Sequence, residues 1–295
     1  MGGEKRICLA IVTRDRAAKL ERYLLPSLRP LLDDGYPVVV VDQSTDGDTE
    51  RLVRGFPEMH YLRAEPGISR ARNAAVRWAD TQYIAFTDDD VTLPPDWLDK
   101  IVRILDSSPA AGAVCGRGVS SQGELLPGSC AAEYHWPKSP FGLGNGFNMA
   151  FRRTVFDQVG LFDEDLGGGA QYLSAEDTDM FYRVMKAGWT VVCSDEITVV
   201  HHEWRSVTDM RELHRGYGLG AGAQVARHVA AGDRTMIRIA ARETALHLLT
   251  AMRAALTLRP SLMRLQSAFL RGFFRGLVAS HRAASGRQDE PALRP

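Results

Sequence analysis

Residues 83–98, YIAFTDDDVTLPPDWL, open as an apolar strand over Tyr83 to Thr87 and run straight into three consecutive carboxylates, Asp88, Asp89 and Asp90. Pro94 and Pro95 follow, and Pro95 suits the first turn of a helix that carries Trp97, Ile101, Ile104 and Leu105. Three carboxylates at a strand end repel one another unless a cation or hydrogen-bond donors compensate them. A hard divalent ion, Mn²⁺ or Mg²⁺, with diphosphate oxygens completing its shell, is one such partner. Taken alone, a triple aspartate is more often a solvated acidic turn, so its meaning rests on what flanks it.

Towards the N-terminus, strands and helices alternate. Residues 7–12 form an apolar strand, and Leu20, Leu24, Leu28 and Leu31 recur at roughly helical spacing over 15–32. Residues 37–41, PVVVV, make a second strand, too uniformly apolar for a sheet with one wet face. It stops at the polar turn DQSTDG, before a short helix over 48–55 and a third strand over 59–62. Ser69 can cap a helix that begins with Arg70, Ala71, Arg72 and Asn73. Repeated strand, polar turn and helix predict an α/β fold with a parallel sheet covered on both faces.

Ligands of open α/β sheets gather at the carboxyl ends of strands, where Thr13, Asp42 and Asp88 to Asp90 all fall. Asp42 has two readings there, a hydrogen-bond acceptor for a ribose or base NH, or an ordinary turn residue. Arg70, Arg72 and Asn73, opening a helix after the third strand, are candidate phosphate or nucleotide contacts.

Beyond the acidic run, residues 116–146 are irregular, the pattern of a functional loop or a small hairpin insertion. A helix over 153–159 leads to three glycines at 167–169 and then to SAEDTD at 174–179. With Ser174 as N-cap of a helix over 175–187, Asp177 takes the third helical position, where an acid is useful for capping alone. On the inward side with Phe181 and Val184, the same acid can take the proton of an attacking hydroxyl. Strands over 189–193 and 197–200 lead to His201-His202. Neighbours on a strand point to opposite faces, so only one imidazole enters a metal site begun by the aspartates.

Lys plus Arg and Asp plus Glu balance at 36 each, yet residues 205–295 hold 15 Arg, no Lys and 6 acids. That basic region divides at Pro260 into two expected helices, interrupted earlier by the run GYGLGAGAQ at 216–224. Those glycines lack the strand-to-helix setting of a dinucleotide loop and suggest close backbone approach or an acceptor-side lid. The basic helices suit an anionic membrane surface, or packing on the catalytic domain or a second copy in a homo-oligomer. Without interleaved exposed aromatics they do not suit nucleic acid. The four scattered cysteines lack metal spacing, and the three that lie in or beside apolar stretches read as buried free thiols in a reducing cytoplasm. No apolar run is long enough for a bilayer span or a secretory leader, which predicts a cytoplasmic protein, soluble or peripheral at the inner face of the cell membrane.

Taken in order, CLAIVTRDR, VVVVDQSTDGD, GISRARNAA, YIAFTDDDVTLPPDWL, GNGFNMAFRRTVFDQVGLFDEDL and AEDTDMFYRVMKAGWTVV followed by HH resemble glycosyltransferase family 2 over roughly residues 5–204. These are inverting nucleotide-sugar transferases of the GT-A fold. The resemblance implies a mixed, mostly parallel sheet flanked by helices over 1–204; beyond it, the residues themselves read as a basic helical extension over 205–285 and, from their polar, Pro-bearing end, a flexible tail over 286–295. The resemblance also implies Thr13 and Asp42 at the nucleoside, commonly uridine, with Arg72 nearby. Asp88 and Asp90 would serve ribose and the metal diphosphate, Asp89 being a further candidate, His201 or His202 would touch the metal or diphosphate, and Asp177 would act as general base. The second-strand turn carries one acid where the family often has two. The implied activity is transfer of a sugar, from UDP-sugar first of all, to a hydroxyl of a glycan or lipid-linked acceptor. The rivals are a nucleotidyltransferase, for which an early triphosphate-binding loop is lacking, and a non-catalytic glycan- or lipid-binding module.

Overall fold

The computed structural model describes residues 5–126, 128, 131–202 and 210–288. The chain divides into two compact units, one made of Met1–Glu164 and Asp177–Trp204, the other of Asp165–Glu176 and Arg205–Pro295.

The first unit starts with β1 (Ile7–Thr13), buried along its whole length. Next, α1 (Ala17–Lys19) passes through a π-helical turn, Leu20–Leu24, into α2 (Leu25–Asp33), and Leu20, Leu24, Leu28 and Leu31 are buried. There follow β2 (Val38–Asp42), α3 (Asp48–Arg54), β3 (Met59–Arg63), α4 (Ile68–Trp78) and β4 (Tyr83–Asp88). Strands β3, β2, β1 and β4 lie side by side and parallel. Such a sheet is covered on both faces, which is why residues 7–12 and 38–41 carry no polar alternation. The register pairs Thr13 with Asp42 and Val12 with Asp88, so the polar ends of three strands meet at one edge.

The remaining elements of this unit are β5 (Val91–Thr92), α5 (Trp97–Ser107), β6 (Ala111–Ser120), β7 (Ala132–Tyr134), β8 (Met149–Arg152), α6 (Arg153–Val159), α7 (Glu176–Lys186) and β9 (Thr190–His201). The full sheet runs β3-β2-β1-β4-β8-β6-β9-β5, with β7 also on β9. Antiparallel β8 between β4 and β6 makes the sheet mixed. Leu20, Leu28, Trp97 and Ile101 close one face, and Ala71, Ala75, Phe162 and Phe181 the other.

Several local expectations change. The two strands expected at 189–193 and 197–200 are one strand, β9, whose pairing with β6 shifts register between Gly116 and Gly118. Part of the irregular stretch, 116–120 and 132–134, is thereby absorbed into β6 and β7. Small residues hid β6, and they are required: a Cβ at Gly116 would collide with the Ile197 carbonyl. The free-thiol reading fails at two cysteines, because Cys115 and Cys193 are partners in the β6/β9 register and form a disulfide, Cα atoms 4.7 Å apart. Cys8 is a buried free thiol, and Cys130 lies outside the described residues. Cysteine usage therefore no longer argues for a reducing compartment.

In the second unit, α8 (Met210–Ala230), α9 (Arg234–Leu256) and α10 (Pro260–Gln288) are long helices, and α10 begins at Pro260 as the sequence predicts. Residues 289–295 of the expected tail lie outside the described residues. The run at 216–224 does not interrupt the helix and is no loop or lid; its glycines are buried inside α8. Gly218 and Gly222 of α8 face the carbonyls of Phe269 and Phe273, while Gly272 and Gly276 of α10 face those of Arg215 and Leu219, each so closely that a Cβ would overlap backbone. Two reciprocal Gly-x-x-x-Gly pairs thus let the helices touch main chain to main chain. Asp233 caps α9 by accepting from Thr235 N and Met236 N at 3.0 and 3.3 Å.

Residues 165–176 join these helices. Arg227 pairs with Asp165 at 2.6 Å and lies over the Tyr172 ring, and Leu166 and Tyr172 pack with Ala223. Ser174 is not the cap of α7: its Oγ donates to the Gly216 carbonyl at 3.0 Å. Gly222→Val is expected to force α8 off α10 and destabilise this unit by about 1–3 kcal/mol or more. A lowered Tm in calorimetry checks it; an unchanged Tm would mean that the glycine contact is dispensable.

Candidate functional site

The edge where β1, β2 and β4 end carries the sequence-selected acids. Asp88 is half-buried, while Asp89 and Asp90 are 1% and 2% exposed, which excludes a solvated turn. Thr13 Oγ1 donates to Asp89 Oδ2 at 2.6 Å, so in this structure Thr13 braces the acidic run. Just past β4, Val91 and Thr92 of β5 pair with His201 and Val200 of β9, and His202 N donates to the Asp90 carbonyl at 2.8 Å. This short ladder carries a histidine 111 residues further along the chain to the aspartates.

Asp88, Asp90 and His201 form a cluster in which one ligand atom from each lies within 4.8 Å of the others. His201 Nε2 is 3.5 Å from Asp90 Oδ1, and its Nδ1 lies 2.7 Å from the His202 carbonyl. A carbonyl only accepts, so Nδ1 carries a proton and leaves Nε2 as the ring nitrogen turned to the carboxylates, the orientation a metal ligand needs. His202 turns the other way, stacked on Tyr23 at 4.4 Å with Nε2 2.8 Å from Thr92 Oγ1. Buried Asp90 Oδ1 accepts no hydrogen bond, the kind of orphaned oxygen a cation satisfies. Two hard carboxylates and an imidazole suit Mn²⁺ or Mg²⁺.

Electrostatics at the cluster are severe. Burial raises the Asp88 carboxyl above its usual range despite nearby Arg72, and burial pushes Asp89 up to about 7 against the pull of Arg16 and the Thr13 hydrogen bond. Arg16 is the residue that sequence reasoning missed. Its guanidinium reaches both Asp89, at 3.2 Å, and Asp90. Burial opposes its charge, yet Asp89, Asp90 and Asp88 together hold its pKa above the ordinary value. The only sequence signal was a basic residue three positions past the end of β1.

Arg72 is 1% exposed, donates to the Gly146 carbonyl at 3.1 Å and lies over the Phe162 ring. Asn73 pins α4 to the backbone of Phe162 through two 2.9 Å hydrogen bonds. Asp42 is 1% exposed, with Oδ1 accepting from Ser44 N and Oγ and Oδ2 from Tyr61 OH, so it holds the β2 turn together. Asn148, a second omission, is fully buried and ties Trp97 Nε1 to the Arg117 and Ile197 carbonyls beneath the site. Asp177 sits half-buried on the first turn of α7, Oδ1 accepting from Thr178 N at 2.7 Å. Ala175 just before it is held at φ 77°, a conformation that costs a non-glycine residue about 1–3 kcal/mol.

A parallel half with acids at its carboxyl edge, extended by a mixed half that begins at antiparallel β8, is the architecture of the GT-A class, and solved structures agree. The mannosyltransferase PcManGT from Pyrobaculum calidifontis, in complex with GDP-Man and Mn²⁺, superposes with a TM-score of 0.62 over 92% of this chain and 87% of that one at 19% identity. S. aureus TarS 1–349 in complex with UDP-GlcNAc gives 0.58 over 98% and 93% at 13% identity. The chain belongs to Glycosyl transferase family 2, which matches residues 8–160. Its relatives include the glucosyl-dolichyl phosphate glucuronosyltransferase of Haloferax volcanii, 28% identical over 61% of this chain and 64% of the relative, and the succinoglycan biosynthesis protein ExoM of Rhizobium meliloti, 30% identical over 55% of each. An N-acetylglucosaminyl-diphospho-decaprenol L-rhamnosyltransferase of Mycobacterium tuberculosis is 26% identical over 66% of this chain and 75% of the relative. This chain thus spans less than two thirds of the first two relatives.

Proposed function

We propose that this protein is an inverting glycosyltransferase that moves a sugar from a nucleoside diphosphate sugar, UDP-sugar first among them, to a hydroxyl of a glycan or lipid-linked acceptor. The observation that carries the reading is the convergence of Asp88, Asp90 and His201 at the carboxyl end of β4. Relatives whose names specify dolichyl phosphate and decaprenol substrates support the lipid-linked acceptor.

Asp88, Asp90 and His201 would hold Mn²⁺ or Mg²⁺, which supplies positive charge for the departing diphosphate. Thr13 fixes Asp89 behind them, and Arg72 adds a buried positive charge near Asp88. Asp177 takes the proton of the acceptor hydroxyl. That oxygen then bonds to the anomeric carbon on the face opposite the diphosphate, whose bond to the sugar breaks, and one displacement inverts the centre. A nucleoside contact by Asp42 falls to the second lone pair of Oδ2, since Oδ1 already accepts from both Ser44 N and Oγ while Oδ2 accepts from Tyr61 OH alone.

A thermal-shift panel of nucleoside diphosphates and their sugars, with Mn²⁺ or with chelator, tests the reading. A Mn²⁺-dependent stabilisation, largest for UDP compounds, is expected. No response to any nucleotide would remove it.

Arg16 is the protein's own counter-ion for the acidic run, and an incoming ion competes with it. Arg16→Ala is therefore expected to tighten Mn²⁺ binding without nucleotide by about tenfold, the factor that corresponds to one pKa unit of interaction. Calorimetric titration reads this directly; equal or weaker binding would assign Arg16 to positioning the aspartates instead.

A further inference from the structure

The helical unit exposes apolar side chains at several positions, Ile237, Phe274 and Val278 among them, but the most exposed gather in one place. On α9 and the turn after it, Leu246, Leu248, Leu249, Met252, Leu256 and Leu258 are 45–88% exposed, the last two the most. They lie towards the turn that joins α9 to α10, and residues 248–258 span only about 15 Å of helix axis. The hairpin is fastened just behind them: His247 bonds Gln266 at 2.5 Å and stacks on Phe269 at 3.9 Å. Beyond that fastening the tip carries exposed Arg253, Arg259 and Arg264 and no acid; Arg238, Arg242, Arg271 and Arg275 follow further back, with Glu243 as the one acid between residues 234 and 282.

From this we propose that the tip of the α9–α10 hairpin is a shallow membrane-docking element for an anionic bilayer surface. The proposal rests on the glycosyltransferase reading only in giving that enzyme its place of work. An apolar tip ringed by long basic side chains fits a headgroup boundary: leucines enter the acyl edge while arginine stems lie along it and their guanidinium groups reach lipid phosphates. Pairing with a second copy through the same surface would instead bring arginines against arginines, with almost no carboxylates to offset them. None of the described helices is long and apolar enough to cross a membrane, so the contact is one of surface, not span.

The test is flotation of the full chain with phosphatidylcholine vesicles, with and without phosphatidylglycerol. Flotation with the anionic vesicles, weakened by salt, is expected, with Leu256→Glu/Leu258→Glu and Arg259→Glu/Arg264→Glu each reducing the bound fraction at least about tenfold. The same preparations are titrated with Mn²⁺ and nucleotide sugar, which these exposed substitutions should leave unchanged. Absence of flotation, or flotation that ignores both double substitutions, overturns the proposal. So does a dimer in light scattering that the leucine substitutions convert to monomer without any vesicle binding. A chain that floats but never responds to nucleotide keeps the docking element and loses the enzymatic reading, so the two failures are distinguishable.

Discussion

Asp90→Asn is expected to lower turnover by about 10³-fold or more while leaving Tm within a few degrees. Asp90 is where three lines of geometry meet: its Oδ1 faces His201, its Oδ2 faces Arg16, and its carbonyl anchors the first residue after β9. The substitution keeps shape and removes charge. Losing a carboxylate ligand forfeits several kcal/mol of charge stabilisation on the leaving diphosphate, and each 1.36 kcal/mol is tenfold in rate. Stability should survive, because the backbone contact to His202 does not need the side chain and one repulsive charge among three is gone. The measurement is turnover across a Mn²⁺ series, with calorimetry alongside. Full turnover in chelator, by wild type or variant, would remove the ion from the mechanism.

Asp177→Asn is expected to separate chemistry from binding. A general base contributes about 10²–10⁴-fold, so kcat should fall by that order while the affinity for donor stays put. The hydrogen bond to Thr178 N can be kept by the asparagine carbonyl, so the helix start should hold. The loss should appear in kcat and kcat/KM together, the pattern of an interaction made only in the transition state. If turnover persists, or falls only as far as the folded fraction falls, Asp177 is a helix-start residue and the base lies elsewhere.

The nucleotide half of the sheet was legible in the sequence because parallel strands buried on both faces have no choice but continuous apolar runs, as in VVVV at 38–41. The acids at their ends were legible for the complementary reason, that polar residues must begin where the sheet stops. Strand β6 was not, because glycines at positions such as Gly116 record a neighbour's backbone, and the neighbour is not in the local sequence. The same blindness misplaced the glycines of α8, whose partners lie some fifty residues away on α10. Ser174 sat three positions before an acid, which is the pattern of a cap, and spent its hydroxyl on a helix carbonyl instead. Arg16 offered only its place shortly after a strand end; the fold puts it against Asp89 and Asp90. Of the two histidines, strand alternation said that only one would face the aspartates, and the one that clusters with Asp88 and Asp90 is His201.

The membership of residues 165–176 in the helical unit bears on how the chain can be cut. Ending it at the last catalytic strand would leave Tyr172, Leu166 and Ser174 without the helices they pack and bond with, and the disturbed segment would run directly into Asp177. A cut after β9 therefore removes the packing partners of a segment that lies earlier in the chain than α7, and the helical unit is discontinuous in sequence.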